Sequence, residues 1–376
     1  MTQSDPPFGT FFVPGPTEVR PEILAQMTRP LISHRGRDFE AMFARIEAGL
    51  RDVLLTARPV YVAPASATGF MEMAIRGTPE GKILSLVNGG FSERFAEMAE
   101  ACGREVERVV VPWGAAYDLN VVESALKKTS FVAVTVAHSE TSTGVLTDVR
   151  AVAELAHRYG AIAIIDSVSG AGGAEICVDG WGLDFVLTGS QKALALPPGL
   201  AFAVASAEYV ERAKKVKNRG LYFDVVEYDE SAAKNQTPST AAVSLMYALE
   251  AQMGDIGREG IERRWERHLL MRDATIEWVD AVSRKRGIDL SVLAPEGSRS
   301  PTVTVISLPR GMTGPEVTEA VKARGMNVGP GYGRLNATTF RIGHMGDHTL
   351  EGVDRCLHVC EAAITELAER RQLARV

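Results

Sequence analysis

Cysteine is scarce in this chain of 376 residues: only Cys102, Cys177, Cys356 and Cys360, with no Cys-x-x-Cys pair among them. That excludes a disulfide scaffold and a zinc-ribbon framework. Cys356 and Cys360 share a face of a helical pattern, and His358 falls off that face by helical phase. The two thiols read as small buried hydrophobes, and no metal site is expected. Basic runs are missing too. Lys and Arg never occur five in a row, and the formal net charge is −6, which speaks against a nucleic-acid partner. The longest uncharged apolar stretch, residues 193–207, is broken by Pro197-Pro198-Gly199 and is too short to cross a bilayer as a helix. The first residues, Met1-Thr2-Gln3-Ser4-Asp5-Pro6-Pro7, lack the basic start and apolar stretch of a secretory signal. The expectation is a cytoplasmic protein that binds neither membrane nor nucleic acid.

What is present is the balance of a soluble globular protein. Hydrophobic residues make up 45% and charged residues 23%, and the length suits two domains. From residue 59 to 206 short apolar runs alternate with helical patterns. The runs at 60–63, 82–87, 106–111, 131–137, 161–166, 185–187 and 200–205 are rich in Val, Ile and Leu, as strands buried on both faces are. Helical patterns at 93–102 and 149–159 each end at a glycine, Gly103 and Gly160. This predicts an α/β domain with a mostly parallel, seven-stranded sheet. After about residue 240 a long helical stretch runs to about 283, interrupted near 254–260, and its Glu/Arg-rich part, 259–272, reads as a solvated face. Strands at 302–308 and 339–343, a helix at 314–324 and a last amphipathic helix at 350–367 predict a smaller α+β domain. The expected division is an N-terminal segment, 1–20, that contributes to the active site, then a large domain, 21–260, and a small one, 261–376.

Five places carry chemistry. Asp166 ends an apolar strand, where ligands bind in open α/β sheets; a turn or helix-cap aspartate would look the same. Lys192 lies 26 residues later, ahead of the apolar run Ala193-Leu194-Ala195-Leu196. Desolvation there would lower its pKa, and a neutral amine attacks aldehydes to form a Schiff base. A lysine snorkelling from a buried loop is the structural alternative. Ser66, Thr68 and Gly69 stand between a strand and a helix, where free N–H groups and hydroxyls bind anions or simply cap the helix. Ser139, Glu140, Thr141, Ser142 and Thr143 follow another strand as a ligand site or a polar turn. Arg341 sits in an apolar strand, suited to a structural ion pair or to a substrate carboxylate gripped by two parallel hydrogen bonds.

In this order the motifs resemble the class V aminotransferases, on the fold of aspartate aminotransferase. Within that class they look most like the alanine–glyoxylate, serine–glyoxylate and serine–pyruvate group. The likeness runs from Val13-Pro14-Gly15-Pro16-Thr17-Glu18 to Arg341-Ile342-Gly343-His344-Met345-Gly346, and residues 138–145, 165–173 and 188–200 are its most specific segments. The resemblance implies pyridoxal 5′-phosphate as cofactor. Lys192 would bind it covalently, Asp166 would pair with its ring nitrogen, and Val168 would pack under the ring. Phe91 falls where an aromatic stacks on the ring, although relatives often carry Trp there. Thr68, Gly69, Phe70 and Gln191 would hold the phosphate. Ser142, or its neighbour Thr141, would stand near the ring oxygen, and Ser142 would also face substrate. Thr237 and Thr240 match residues that reach the phosphate of a partner subunit, which implies a homodimer with shared sites. Arg341 would bind the substrate carboxylate, helped by backbone near Gly15.

The activity implied is ping-pong transamination between a small amino acid, serine or alanine, and a 2-oxo acid, glyoxylate or pyruvate. No second basic residue can be assigned to a dicarboxylate side chain, and a specialised donor such as an aminophosphonate is the alternative. Cysteine desulfurases share the class but need a reactive Cys in a C-terminal loop, and residues 325–341 contain none. The stretch Gly170-Ala171-Gly172-Gly173-Ala174-Glu175 resembles a dinucleotide turn, but Glu175 replaces the third glycine of that pattern. His34 and Arg35 are further candidates for lining the site.

Overall fold

The structure is a computed structural model, and it describes residues 8–373. Its centre is a seven-stranded sheet in the spatial order Tyr61–Ala63, Ala201–Ala205, Phe185–Gly189, Ile162–Asp166, Ala133–Ala137, Ile83–Val87, Val106–Val110. Only Ala201–Ala205 runs against its neighbours; the other pairings are parallel. The inner strands Ile83–Val87, Ala133–Ala137 and Ile162–Asp166 are buried at every position, as their largely apolar sequences suit, with Ser85, Thr135 and Asp166 the polar exceptions. Alternate residues serve two cores. Leu84, Val134, Ala163, Ile165 and Val186 pack with helices Arg37–Leu54, Val149–Arg158 and Val243–Glu259. Ile83, Ala133, Ile162, Ile164 and Leu187 pack on the other face with helices Ala67–Gly77, Gly90–Ala101 and Ala207–Ala213. A one-residue slip of any inner strand would exchange the two sets.

The second sheet has five strands, ordered Phe11–Phe12, Asn327–Pro330, Thr339–Ile342, Thr304–Ser307, Ser291–Val292. Its first strand comes from the opposite end of the chain and pairs in parallel with Asn327–Pro330. The N-terminal segment thus starts on the small sheet and then crosses to the large one, where Thr17 N–H donates to the Gln191 carbonyl over 2.9 Å.

The interruption expected near 254–260 falls at Gly260, between helices Val243–Glu259 and Ile261–Arg286, where a φ of 83° suits glycine. Two expectations need correction. The segment 259–272 is not simply a solvated face: Arg264 and His268 are buried, because this part of helix Ile261–Arg286 lies against the lysine loop. In the last helix, Leu350–Leu373, Val353, Leu357 and Ile364 are buried, but Leu350 is 46% exposed and lies outside the core stripe. Cys356 and Cys360 are buried on the stripe side, and His358 is exposed.

Candidate active site

The parallel strands bring their carboxyl ends to one edge of the large sheet, and the loops that follow them build the site. Lys192 follows strand Phe185–Gly189. Ser190 closes its loop by donating to the Pro197 carbonyl (2.7 Å) and accepting from Leu200 N–H (3.2 Å). The Lys192 side chain is buried, and its Nζ donates to the carbonyl of Pro14. A Cβ at Gly15 would stand 2.6 Å from the Lys192 side chain, so the crossing N-terminal segment needs glycine at that point. Burial, followed by the nearby Arg341 guanidinium, pulls the Lys192 ammonium down to a pKa of about 7.

Asp166 ends strand Ile162–Asp166 and is also buried. Desolvation pushes its carboxyl up to about 7, against a hydrogen bond from Val168 N–H (2.9 Å) that favours the charged form. Among the described residues it belongs to no ion pair. A carboxylate buried in this way, with one N–H donor and no cation, is short of partners for its charge.

Thr68 lies in the first turn of helix Ala67–Gly77, whose N-cap Ser66 makes no side-chain cap bond, so the helix start is available to an anion. Ser66, Thr68, Phe91, Arg94, Thr141, Asp166, Val168, Ser169, Gln191 and Lys192 line one interior cavity. The sequence points to Thr68, Phe91, Thr141, Asp166, Val168, Gln191 and Lys192, which the fold brings together from five segments at the ends of five strands. Ser66, which the sequence leaves as an anion ligand or a helix cap, makes no cap bond; Arg94 and Ser169 lie outside the sequence motifs. Arg94 was within reach of pattern reading, because it lies one helical turn beyond Phe91 on helix Gly90–Ala101.

Other expected residues stand elsewhere. Gly69 packs against the Phe223 ring, and Phe70 is fully buried, its ring edge-on to Phe223 and Tyr228, so only their backbone is near the anion turn. Ser142 turns from the cavity and donates to Glu140 Oε1 over 2.6 Å, while Thr141 Oγ1 bonds to Ser169 Oγ at the wall. Arg341 is part-buried and, among the described residues, has no acid partner; it donates to the carbonyls of Pro330 (2.8 Å) and Thr141 (3.2 Å), and burial lowers its pKa to about 10. Thr237 donates to the Ser239 carbonyl, and Thr240 is exposed, away from the cavity. His34 and Arg35 do not line the cavity. Arg35 instead holds the carbonyls of Thr237 (2.5 Å) and Pro238 (3.1 Å). A larger hollow of about 510 Å³, between Trp181, Glu262, Trp265 and Pro301, offers no lysine for covalent chemistry.

A buried amine close to neutrality, a buried carboxylate without a cation and an uncapped helix start suit an aromatic aldehyde with a ring nitrogen and a phosphate. Fold and cavity together define an enzyme of the aspartate-aminotransferase-like class, fold type I. The profile of the family described as "Aminotransferase class-V" matches residues 26–331. An uncharacterized aminotransferase of Methanocaldococcus jannaschii is 37% identical, over 94% of this chain and 92% of its own length. The L-aspartate–glyoxylate aminotransferase of Paracoccus denitrificans is 33% identical, over 93% of this chain and 88% of its own. Among solved structures, an alanine–glyoxylate aminotransferase from Nostoc sp. superposes with a TM-score of 0.88 at 27% identity, covering 97% of this chain and 98% of its own. The chain belongs to the class-V aminotransferase family, and it is an aminotransferase.

Proposed function

We propose that this aminotransferase holds pyridoxal 5′-phosphate on Lys192 and moves an amino group from a small amino acid, serine or alanine, to glyoxylate or pyruvate. The observation that carries this reading is the presence in one cavity of a buried lysine with a pKa of about 7 and a buried Asp166 that, among the described residues, has no ion-pair partner. When bound, the cofactor supplies an aldehyde that exchanges for the amino group and a ring that takes up electrons from the substrate. Asp166 holds a proton on the ring nitrogen. Lys192 forms the covalent attachment and, once displaced, moves a proton at the substrate's Cα. Thr68, Gln191 and the backbone of Gly69 and Phe70 take the phosphate. Phe91 and Val168 confine the ring. Thr141, rather than Ser142, is the hydroxyl at the ring oxygen. Arg341 binds the substrate carboxylate beside the Gly15 backbone.

The exposed Thr240 and its neighbour Thr237 support a homodimer in which each subunit completes the other's phosphate site. The sheet of five strands supports a small domain at 261–376, joined by the segment 1–20. Free cysteines at 102, 177, 356 and 360 support a reducing, cytoplasmic setting. No helix among the described residues is long and apolar enough to cross a membrane.

A second donor is favoured by one observation. Arg94 lines the cavity, bonds to the Tyr332 hydroxyl over 2.9 Å and, among the described residues, pairs with no acid. It supplies the second cation that the sequence had not revealed, as an aspartate donor requires. The deciding measurement is the visible spectrum of the purified protein with L-serine, L-alanine and L-aspartate added singly. A yellow band that one donor bleaches and glyoxylate or pyruvate restores supports the reading and names the donor. Lys192→Ala is expected to abolish turnover while phosphate contacts still retain some cofactor. No band after soaking in pyridoxal phosphate, or sustained turnover by that variant, overturns it.

A further inference from the structure

Glu140 is fully buried, in the short strand Ser139–Glu140 that follows Ala133–Ala137, and belongs to no ion pair among the described residues. Its carboxylate is nevertheless saturated with donors. Oε2 accepts from the N–H of Phe91 (3.1 Å), the N–H of Ser92 (2.8 Å) and the hydroxyl of Ser92 (3.0 Å). Oε1 accepts from the N–H of Ser142 (3.0 Å) and the hydroxyl of Ser142 (2.6 Å). Ser142 Oγ in turn accepts from Gly90 N–H over 2.9 Å. The acid therefore grips the first turn of helix Gly90–Ala101, where the positive end of the helix dipole favours an anion. Hydrogen bonds to an ionised acceptor are the strong kind, so this grip is stiff.

The two ends of the grip lead to two different parts of the cavity. One is Phe91, whose ring lines it. The other is the backbone from Glu140 to Ser142, which includes Thr141. The Thr141 side chain lines the same cavity, and its carbonyl accepts from Arg341 over 3.2 Å. We propose that Glu140 is a positioning residue: one buried carboxylate sets the Phe91 ring over the cofactor and, through Thr141, aims Arg341 at the substrate carboxylate. This rests on the cofactor and substrate roles proposed above for Phe91 and Arg341.

Gly89 provides an independent handle on the same contact. Its φ of −178° is ordinary extended backbone, yet a Cβ there would overlap the Glu140 side chain and come within 2.5 Å of Ser142 Oγ. Only close approach demands glycine at this position. Gly89→Ala displaces the carboxylate without removing its charge, whereas Glu140→Gln keeps its shape and replaces one acceptor by a donor that faces donors.

The test compares wild type, Glu140→Gln and Gly89→Ala as holoenzymes. Visible circular dichroism reads how the cofactor ring is held, and steady-state kinetics separates KM from kcat. Both variants are expected to lose at least half of the visible dichroism per bound cofactor and to raise donor KM about tenfold or more, with a smaller change in kcat. A melting point that falls while dichroism and KM per folded molecule stay within twofold of wild type would show a merely structural acid and overturn the proposal. If Glu140→Gln does not fold, Gly89→Ala and Ser142→Ala carry the same comparison. A wild type without a cofactor band is the failure of the functional reading instead, and is seen before any variant is made.

Discussion

At the scale of single residues, Lys192 and Asp166 are buried at opposite expense to their charges. The Lys192 pKa falls from 10.5 to about 7, so between those values the unfolded chain binds more protons and stability rises with pH. The Asp166 pKa climbs from 3.8 to about 7, so there the folded chain binds more protons and stability falls with rising pH. The two contributions are jointly least favourable near pH 7, when no cofactor is bound. The expected outcome is that the apo form of Lys192→Met/Asp166→Asn gains most melting temperature over apo wild type near pH 7, and less toward pH 4 and pH 10. Calorimetry across that range checks it; a difference that does not vary with pH would mean the two groups are solvated. The same shift suits the role proposed for Lys192, because an amine with a pKa near 7 is partly neutral there and can attack an aldehyde.

At the scale of elements, the start of helix Ala67–Gly77 is set by packing beneath it. Gly69 lies where a Cβ would overlap the Phe223 ring, and Phe223 meets Phe70 edge-on at 6.2 Å. Gly69→Ala must therefore push the ring or the helix start aside. Overpacking of this kind costs about 1–3 kcal/mol. The variant is expected to melt lower and to bind pyridoxal phosphate roughly tenfold more weakly, that is by about 1.4 kcal/mol, because the anion turn moves with the helix. Titration of apoenzyme followed by the visible band reads this directly, and unchanged affinity would detach the turn from phosphate binding.

At the scale of the whole molecule, Arg264 ties distant parts of the chain together. It is fully buried on helix Ile261–Arg286 and donates to the carbonyls of Gly172 (3.2 Å) and Ala193 (2.8 Å), to Glu259 (2.7 Å) and to Asp347 (2.8 Å). Asp347 also accepts from Arg20 over 2.6 Å, so the N-terminal segment, the lysine loop and the turn after strand Thr339–Ile342 meet at one ion network. Arg264→Met leaves Asp347 and two carbonyls short of donors inside the protein. Removing one member of a buried pair costs about 3–5 kcal/mol. Urea unfolding is expected to show a loss of that size, partly recovered when Asp347→Asn is added. Full additivity of the two changes would show that the pair is not coupled.

Much of this protein was legible in its sequence, for reasons of local physics. Apolar runs of strand length, separated by helical patterns and glycine stops, determined the seven-stranded, mostly parallel sheet, because strands buried on both faces admit few polar residues. The same logic marked Asp166 and Lys192, two ionisable residues set against apolar runs. What the sequence could not decide depends on atoms that only folding brings together. Thr141 and Ser142 are neighbours of like chemistry, and only the geometry of the turn sends one to the cavity and the other to Glu140. Arg264 stands in a run of charges that periodicity assigns to solvent, until the lysine loop covers it. Arg94 and Glu140 look like ordinary surface and turn residues until tertiary contacts place one at the cavity wall and bury the other completely. Pattern along a chain reports burial averaged over an element; the partner of a buried charge lies far away in sequence, and only the tertiary fold selects it.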